Sequence, residues 1–150
     1  MHNDTITLFN RKASRTGDVW YPTVIENVNL NIDRVSILAK YGAEAQDKAI
    51  LHVAYRSADG QKVVAEKPWK PPKEWDSLAD PATAITFADG DRFDFFWLGK
   101  WEGCEPIQDV DYVANTGFYT YMNRTHDYVF AIGSVSGPYS VIPHFEIMGK

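Results

Sequence analysis

The chain has 150 residues, of which 45% are hydrophobic and 14% aromatic, and its net charge is −5. These totals are typical of one globular domain with a real core, and they argue against wholesale disorder. The single cysteine excludes an internal disulfide and a zinc or iron–sulfur site built on cysteines. No apolar run approaches the roughly 20 residues of a membrane helix. The N-terminus lacks the pattern of a signal peptide, so we expect an intracellular product without membrane contact.

The N-terminal third predicts β-strands joined by polar connections. Thr5–Asn10 is expected to form a short opening strand, and Val19–Asn29 a longer one with Pro22 at an edge or bend. Asn31–Lys40 could be a strand or a helical turn, and its β-branched residues favour a strand. Tyr41–Asp47 is small and polar and predicts a loop.

A second hairpin is predicted further along the chain. Lys48–Arg56 has the composition of a buried strand, and Ser57–Gly60 is a good turn sequence. Gln61–Glu66 would then return as the partner strand. His52 lies inside the first arm, where a packed histidine is a simpler interpretation than a metal ligand because no second histidine has a paired spacing.

The segment Lys67–Trp75 departs from the β-pattern. Its three prolines disfavour regular helix or central strand, and Trp69 and Trp75 flank Pro71 and Pro72. One interpretation is a loop held on its own domain by the two tryptophans. The other is a rigid arm that docks on a neighbouring subunit, since tryptophan is favoured at the energetic centres of interfaces. Under the second hypothesis all four residues are a candidate subunit interface.

Acidic residues are concentrated in residues 74–111. This stretch contains ten acidic and two basic residues, which gives it a net charge of −8. Such a block repels phosphate backbones, so specific nucleic-acid binding through it is not expected. It predicts either a solvated acidic surface or an acidic lumen or partner-binding face. The candidate residues for that face are Asp89, Asp91, Asp94, Glu102 and Glu105.

The same region predicts further short elements. Asp76–Ala79 is expected to form one helical turn capped by Asp76. Thr83–Phe87 and Arg92–Leu98 are expected to pair as strands across a tight turn at residues 88–91. The turn lacks the spaced acids and final glutamate of a calcium-binding loop, so no metal is predicted there. Asp111–Arg124 is the one predicted helix longer than a turn.

The C-terminal stretch is the clearest β-hairpin in the sequence. Tyr128–Val135 and Tyr139–Met148 are rich in strand formers, and Ser136, Gly137 and Pro138 between them are turn formers. Both faces of the first arm are mostly apolar, which is typical of a strand covered on both sides. The overall prediction is a single mainly β domain over residues 1–150, a compact β-barrel or sandwich with long loops and one short helix.

The motifs of common enzymes are absent from the sequence, and no catalytic residue, metal site or cofactor site is predicted. His126 with Asp127, or His144 near Glu146, could form an acid–base set, but adjacent strand residues point to opposite faces. Cys104 has no basic neighbour in sequence that would activate a thiol, so a nucleophilic role is unsupported.

Two glutamates beside two tryptophans provide an alternative of a different class. Glu102 and Glu105 could pair as carboxylates, with Trp97 and Trp101 as a platform for a sugar. This pattern is compatible with a carbohydrate-binding or carbohydrate-cleaving β-sandwich. Nothing in the sequence places the two acids at the separation that glycoside hydrolysis needs.

Several short motifs together resemble the head–tail connector or stopper (head-completion) proteins of tailed phages and prophages. They are D-x-I-T-L-F-N at Asp4–Asn10, W-Y-P-T-V-I-E-N-V at Trp20–Val28, A-D-G-D around Asp89–Asp91, and H-F-E-I-M-G-K at His144–Lys150. The resemblance implies a compact β-barrel that assembles into rings beneath the portal and carries no catalytic residues.

The same resemblance implies partners and a location. The expected role is a structural virion protein of the phage neck, made in the host cytoplasm and placed at the head–tail junction. Its partners would be other copies of itself in a hexameric or dodecameric ring, portal or adaptor proteins, and tail proteins. DNA would pass through the lumen without specific binding. A tail terminator or another minor virion protein is the alternative within this class.

Overall fold

A computed structural model describes residues 3–32 and 48–150 of the chain. The predictions for residues 33–47 lie outside the described residues. The described strands are β1 Asp4–Lys12, β2 Val19–Ile32, β3 Ala49–Ala54, β4 Arg56–Ala58, β5 Gln61–Val64, β6 Lys67–Pro68, β7 Phe95–Leu98, β8 Ile107–Gln108, β9 Val129–Tyr139 and β10 His144–Gly149. The described helices are α1 Pro72–Asp76 and α2 Phe118–Thr125, with 3-10 turns at Pro81–Thr83, Gly90–Arg92 and Asp109–Asn115.

Six of the strands close into an antiparallel barrel. They are hydrogen-bonded in the order β1, β7, β9, β10, β3, β2, and β2 pairs again with β1. The short strand β8 pairs with the start of β2, and β4, β5 and β6 form a separate small sheet. Closure pairs most of the edges that an open sheet would leave exposed. The predicted mainly β barrel is therefore confirmed, although the described residues contain two short α-helices rather than one.

Hydrophobic residues form two layers, one inside the barrel and one on its outer wall. Along β1, Ile6 and Leu8 point inward while Phe9 points outward, so both faces of the strand are apolar. The outer layer is covered by α2 through Phe118 and Met122. The inner layer consists chiefly of Ile6, Leu8, Ile25, Val28, Leu51, Val53, Ile85, Phe87, Phe96, Phe130, Phe145 and Ile147. The barrel interior is thus a packed core and not a channel.

The predicted helix Asp111–Arg124 begins later than expected. Thr116 and Gly117 have φ angles of 58° and 116°, which interrupt the helical path, and α2 starts at Phe118. The Asp109 carboxylate accepts hydrogen bonds from Phe118 N at 2.9 Å and from Trp20 Nε1 at 2.7 Å. Asp109 therefore caps the helix and ties it to the barrel wall.

The C-terminal hairpin is confirmed, but the position of its turn was wrong. Strand β9 continues through Ser136, Gly137 and Pro138, and the turn lies at residues 140–143. The register between β9 and β10 shifts near His144. A bulge of this kind accommodates a glycine with φ of 100° and a proline that cannot donate a hydrogen bond. Turn-forming residues here mark an irregular strand instead of a turn.

Three other local predictions are corrected. The helical turn ends at Asp76 and does not begin there, because Pro72 occupies the first position of α1. Thr83–Phe87 does not pair with β7. Its Ile85 and Phe87 are buried in the inner layer, and Ile85 forms an isolated bridge to Trp69. The turn after β4 is confirmed, but β3 pairs with β2 and β10 and not with β5. The partner of β5 in the predicted hairpin is β4.

Candidate functional site

Trp75 lies inside the protein, which contradicts its assignment to a subunit interface. Only 2% of its surface is exposed. Its Nε1 donates to the carbonyl oxygens of Pro81 and Ala84, each at 3.2 Å, and its ring meets Tyr21 edge-to-face at 6.0 Å. A buried tryptophan normally satisfies its indole N–H in this way. Trp75 therefore fixes α1 to the following segment of its own domain.

Trp69 is half-buried and packs against the inner core. Its ring centroid is 5.1 Å from that of Phe145, and its backbone N donates to Lys62 O at 2.7 Å. Of the four candidate interface residues, only Pro71 and Pro72 are exposed. The structure thus supports the other interpretation of the segment, a loop held on its own domain by its two tryptophans.

The five candidate acidic residues do not form a single surface. Asp89, Asp91, Glu102 and Glu105 are exposed, but Asp94 is only 1% exposed and cannot contribute to a lumen or partner face. Its assignment to that face was wrong. The reason is its position immediately before β7, where Asn10, Arg11 and Ala88 donate hydrogen bonds to its carboxylate.

Asp94 is the centre of a buried hydrogen-bond network. One carboxylate oxygen accepts from Arg11 N at 2.8 Å, and the other accepts from Asn10 Nδ2 and Ala88 N, both at 2.9 Å. Asn10 Nδ2 also donates to Thr86 O at 2.7 Å. Burial raises the pKa of Asp94 from 3.8 to about 7, and the donated hydrogen bonds and the Arg11 charge oppose this shift. The network joins β1 to the segment that precedes β7.

A cleft of about 200 Å³ lies above this network. Acidic and basic side chains both line it, among them Asp76, Asp89, Lys73 and Arg92. Elsewhere in the acidic stretch, Asp76 pairs with Lys12, and Glu74 pairs with Lys70 at 3.6 Å. Part of the local negative charge is therefore balanced, once by the distant Lys12 and once by Lys70, four residues before Glu74.

The tryptophans of the carbohydrate alternative do not form a flat platform. The rings of Trp97 and Trp101 lie 6.4 Å apart at an interplanar angle of 85°. Trp101 instead packs edge-on against Phe9 and Phe118, both at 5.5 Å between ring centroids. Its packing is that of a member of the outer hydrophobic layer. Glu102 borders the shallow cleft beside the two rings, whereas Glu105 does not line it.

The three histidines in the described part of the chain lie at two places on the barrel. His52 Nε2 lies 3.6 Å from Glu146 Oε2 across β3 and β10, and the His144 ring stacks on Tyr139 at 4.9 Å. His126 lies apart from them, against Trp97. Within residues 3–32 and 48–150, no group of three metal-binding side chains is found.

Cys104 is exposed, and replacing it should have little effect. We expect Cys104→Ser to change the free energy of unfolding by less than about 0.5 kcal/mol, as for most surface substitutions. Urea denaturation of the two proteins measures this. A folded Cys104→Ser protein that failed to assemble or to support its biological role would contradict the expectation.

The most unusual surface is one that the sequence motifs did not identify. No Asp, Glu, Lys or Arg occurs between Asp127 and Glu146, although 23% of the chain is charged. The turn at residues 140–143, called here the hairpin tip, exposes Val141 by 83% and Ile142 by 80%. The absence of charged residues between Asp127 and Glu146 is the feature of the sequence from which this surface could have been identified.

Contacts made by Tyr55 and His144 hold the hairpin tip in a defined shape. Tyr55 N donates to Pro143 O at 3.2 Å, and the Tyr55 hydroxyl donates to Tyr139 O at 2.7 Å. The His144 ring nitrogen Nδ1 lies 2.6 Å from Ile142 O. An apolar surface that is ordered before binding loses little conformational entropy when it docks. The hairpin tip is therefore the best candidate for an interaction site.

The fold and this surface define a small closed β-barrel whose candidate site is an interaction surface. No described helix is long and apolar enough to span a membrane. The chain belongs to a family of unknown function, DUF6751, whose model matches residues 1–150. No curated protein and no solved structure matches the chain.

Proposed function

We propose that this protein is a structural subunit of a tailed-phage neck, a head–tail connector or stopper that assembles into a ring. The observation that carries the proposal is the uncharged hairpin with its exposed Val141 and Ile142 on a rigid barrel. Depletion of charge is characteristic of the buried centre of protein interfaces. The motif resemblance to connector and stopper proteins adds the location, the head–tail junction of the virion.

The role so proposed is mechanical. Because side chains fill the barrel interior, DNA would pass through the lumen of the assembled ring and not through any single barrel. The exposed carboxylates of Asp89, Asp91, Glu102 and Glu105 remain candidates for the lumen or for a partner face. A lumen of that charge would repel the phosphate backbone and would not retain DNA during ejection. The partners would be portal or adaptor proteins on one side and tail proteins on the other.

A nonsense mutation in the gene, made in the phage or prophage that encodes it, tests this function. We expect lysates to contain DNA-filled heads and free tails that do not join, as seen by electron microscopy. The wild-type gene supplied from a plasmid should restore complete virions, which controls for effects on neighbouring genes. Complete, infectious virions without the protein would contradict the proposal. Complete tails of abnormal length would indicate a tail terminator instead.

A further inference from the structure

An open groove lies between β2 and β3, where the two strands separate. They pair at residues 29–32 of β2, but Asn27 has a φ angle of 59° and the chain after Ala54 leaves for the small sheet. Within the described residues, no strand pairs with residues 21–28 of β2 on that side, and the contact from β6 there is a side-chain one, from Lys67 to Thr23. This opening, called here the β2–β3 groove, has a volume of about 480 Å³.

The floor of the β2–β3 groove is aliphatic, and the residues at its sides have small side chains. Ile25, Val28, Val53 and Val64 form the floor. Ala54 and Ala65 stand at the sides, where they leave room for larger side chains from outside. Alternate backbone groups on the β2 edge face the opening without a strand partner. Such an edge normally acquires a covering segment in the native assembly.

We propose that the hairpin tip of one copy of this protein docks into the β2–β3 groove of a second copy. The tip offers two exposed aliphatic side chains, Val141 and Ile142, and the groove offers an aliphatic floor with space above it. The tip does not fill the groove of its own chain, since both side chains are at least 80% exposed. The contact therefore forms between copies.

Charge favours this pairing over other contacts between copies. Two molecules with a net charge of −5 repel each other. The charges lining the β2–β3 groove are the carboxylates of Glu26 and Glu66. The hairpin carries no carboxylate between Asp127 and Glu146, so it can approach this rim without like-charge repulsion.

The geometry of the contact also fits a ring. The tip and the groove are different surfaces of one chain, so the contact is heterologous and each copy can bind two neighbours. Repetition of such a contact closes into a ring when the rotation between copies permits it. The inference thus rests on the proposed ring function and identifies the two surfaces that would build the ring.

A complementation experiment tests the contact. The tip variant is Val141→Asp with Ile142→Asp, and the groove variant is Ala65→Arg. Each variant alone should be monomeric by light scattering after size exclusion, at concentrations where the wild type forms rings. Mixed in equal amounts, they should form one heterodimer and nothing larger, because only one intact tip and one intact groove remain. We expect each variant to raise the concentration needed for assembly at least tenfold.

Two matched variants serve as controls. Val110→Asp with Val113→Asp places the same two charges on side chains that are 51% and 77% exposed elsewhere, and Ala79→Arg adds the same bulk to another exposed alanine. Both control proteins should assemble like the wild type, and all variants should keep its near-ultraviolet circular dichroism. Assembly by the tip or groove variant alone at the concentration where the wild type assembles overturns the inference. So does a mixture that stays monomeric, or a wild type that remains monomeric up to about 1 mM, a very weak affinity.

The outcome can be separated from that of the proposed function. If the nonsense mutant lacks joined heads and tails while the tip and groove variants still form rings, the neck role stands and the docking surfaces are wrong. If the variants complement as expected but virions assemble without the protein, the contact stands and the neck role is wrong.

Discussion

Replacing Trp75 by alanine should destabilise the isolated domain by about 3–5 kcal/mol, the range for removing a large buried aromatic side chain. The indole is almost fully buried, and its N–H satisfies two carbonyl oxygens, those of Pro81 and Ala84. Trp75→Ala removes the packing against Tyr21 and leaves both carbonyls without this donor. Urea denaturation followed by tyrosine and tryptophan fluorescence measures the loss.

Two further variants separate the contribution of the buried Trp75 ring from that of its N–H group. Trp75→Phe retains most of the buried ring but loses the N–H, and we expect a cost of about 1–3 kcal/mol, the penalty for unsatisfied buried polar groups. Lys73→Ala changes an exposed residue of the same helix and should remain within about 0.5 kcal/mol of the wild type. If Trp75→Ala keeps full stability but loses assembly, the tryptophan faces a partner and the packing described here is wrong.

The strands of the barrel were the most predictable part of the fold. Thr5–Asn10 and Val19–Asn29 lie within β1 and β2 because β-branched and aromatic residues fit a pleated, buried surface. The apolar character of both strand faces also indicated coverage from two sides, which the inner and outer layers supply. The pairing order was not predictable, because β1 pairs with β7 across more than eighty residues of chain.

The candidate site was less predictable, because it depends on contacts between distant segments. A tryptophan beside prolines has the composition of an interface, and only the packing of Tyr21, Pro81 and Ala84 around Trp75 shows that it is internal. Similarly, Asp94 belongs to an acidic stretch in sequence, but two of the groups that bind it, from Asn10 and Arg11, lie far away along the chain. Local composition describes residue types and does not determine which surface they occupy.

Protonation of Asp94 should make the stability of this protein depend on pH in an unusual direction. Its pKa of about 7 in the folded state lies above its ordinary value of 3.8, so the folded protein holds the proton more tightly than the unfolded chain. The resulting stabilisation is complete below pH 3.8, decreases as the pH rises, and is lost above about pH 7. A difference of about 3 pH units corresponds to roughly 4 kcal/mol.

The comparison with Asp94→Asn isolates this contribution from that of the other carboxyl groups. Asparagine does not titrate, so the free energy of unfolding of the wild type should fall by roughly 4 kcal/mol relative to the variant between pH 3.8 and 7. Urea denaturation at a series of fixed pH values gives both curves. If Asp94→Asn does not fold, carbon NMR of the carboxyl groups in the wild type reports the Asp94 titration directly.

The opposite pH dependence of the free energy of unfolding would be equally informative. Asp94 accepts three hydrogen bonds, from Arg11 N, Asn10 Nδ2 and Ala88 N, and each favours the ionised carboxylate. If the wild type gains stability relative to Asp94→Asn as the pH rises, these donors outweigh burial and the pKa of Asp94 lies below 3.8. The network would then stabilise an ionised Asp94 at neutral pH. Acidification, and not a rise to neutral pH, would then lower the stability of the protein.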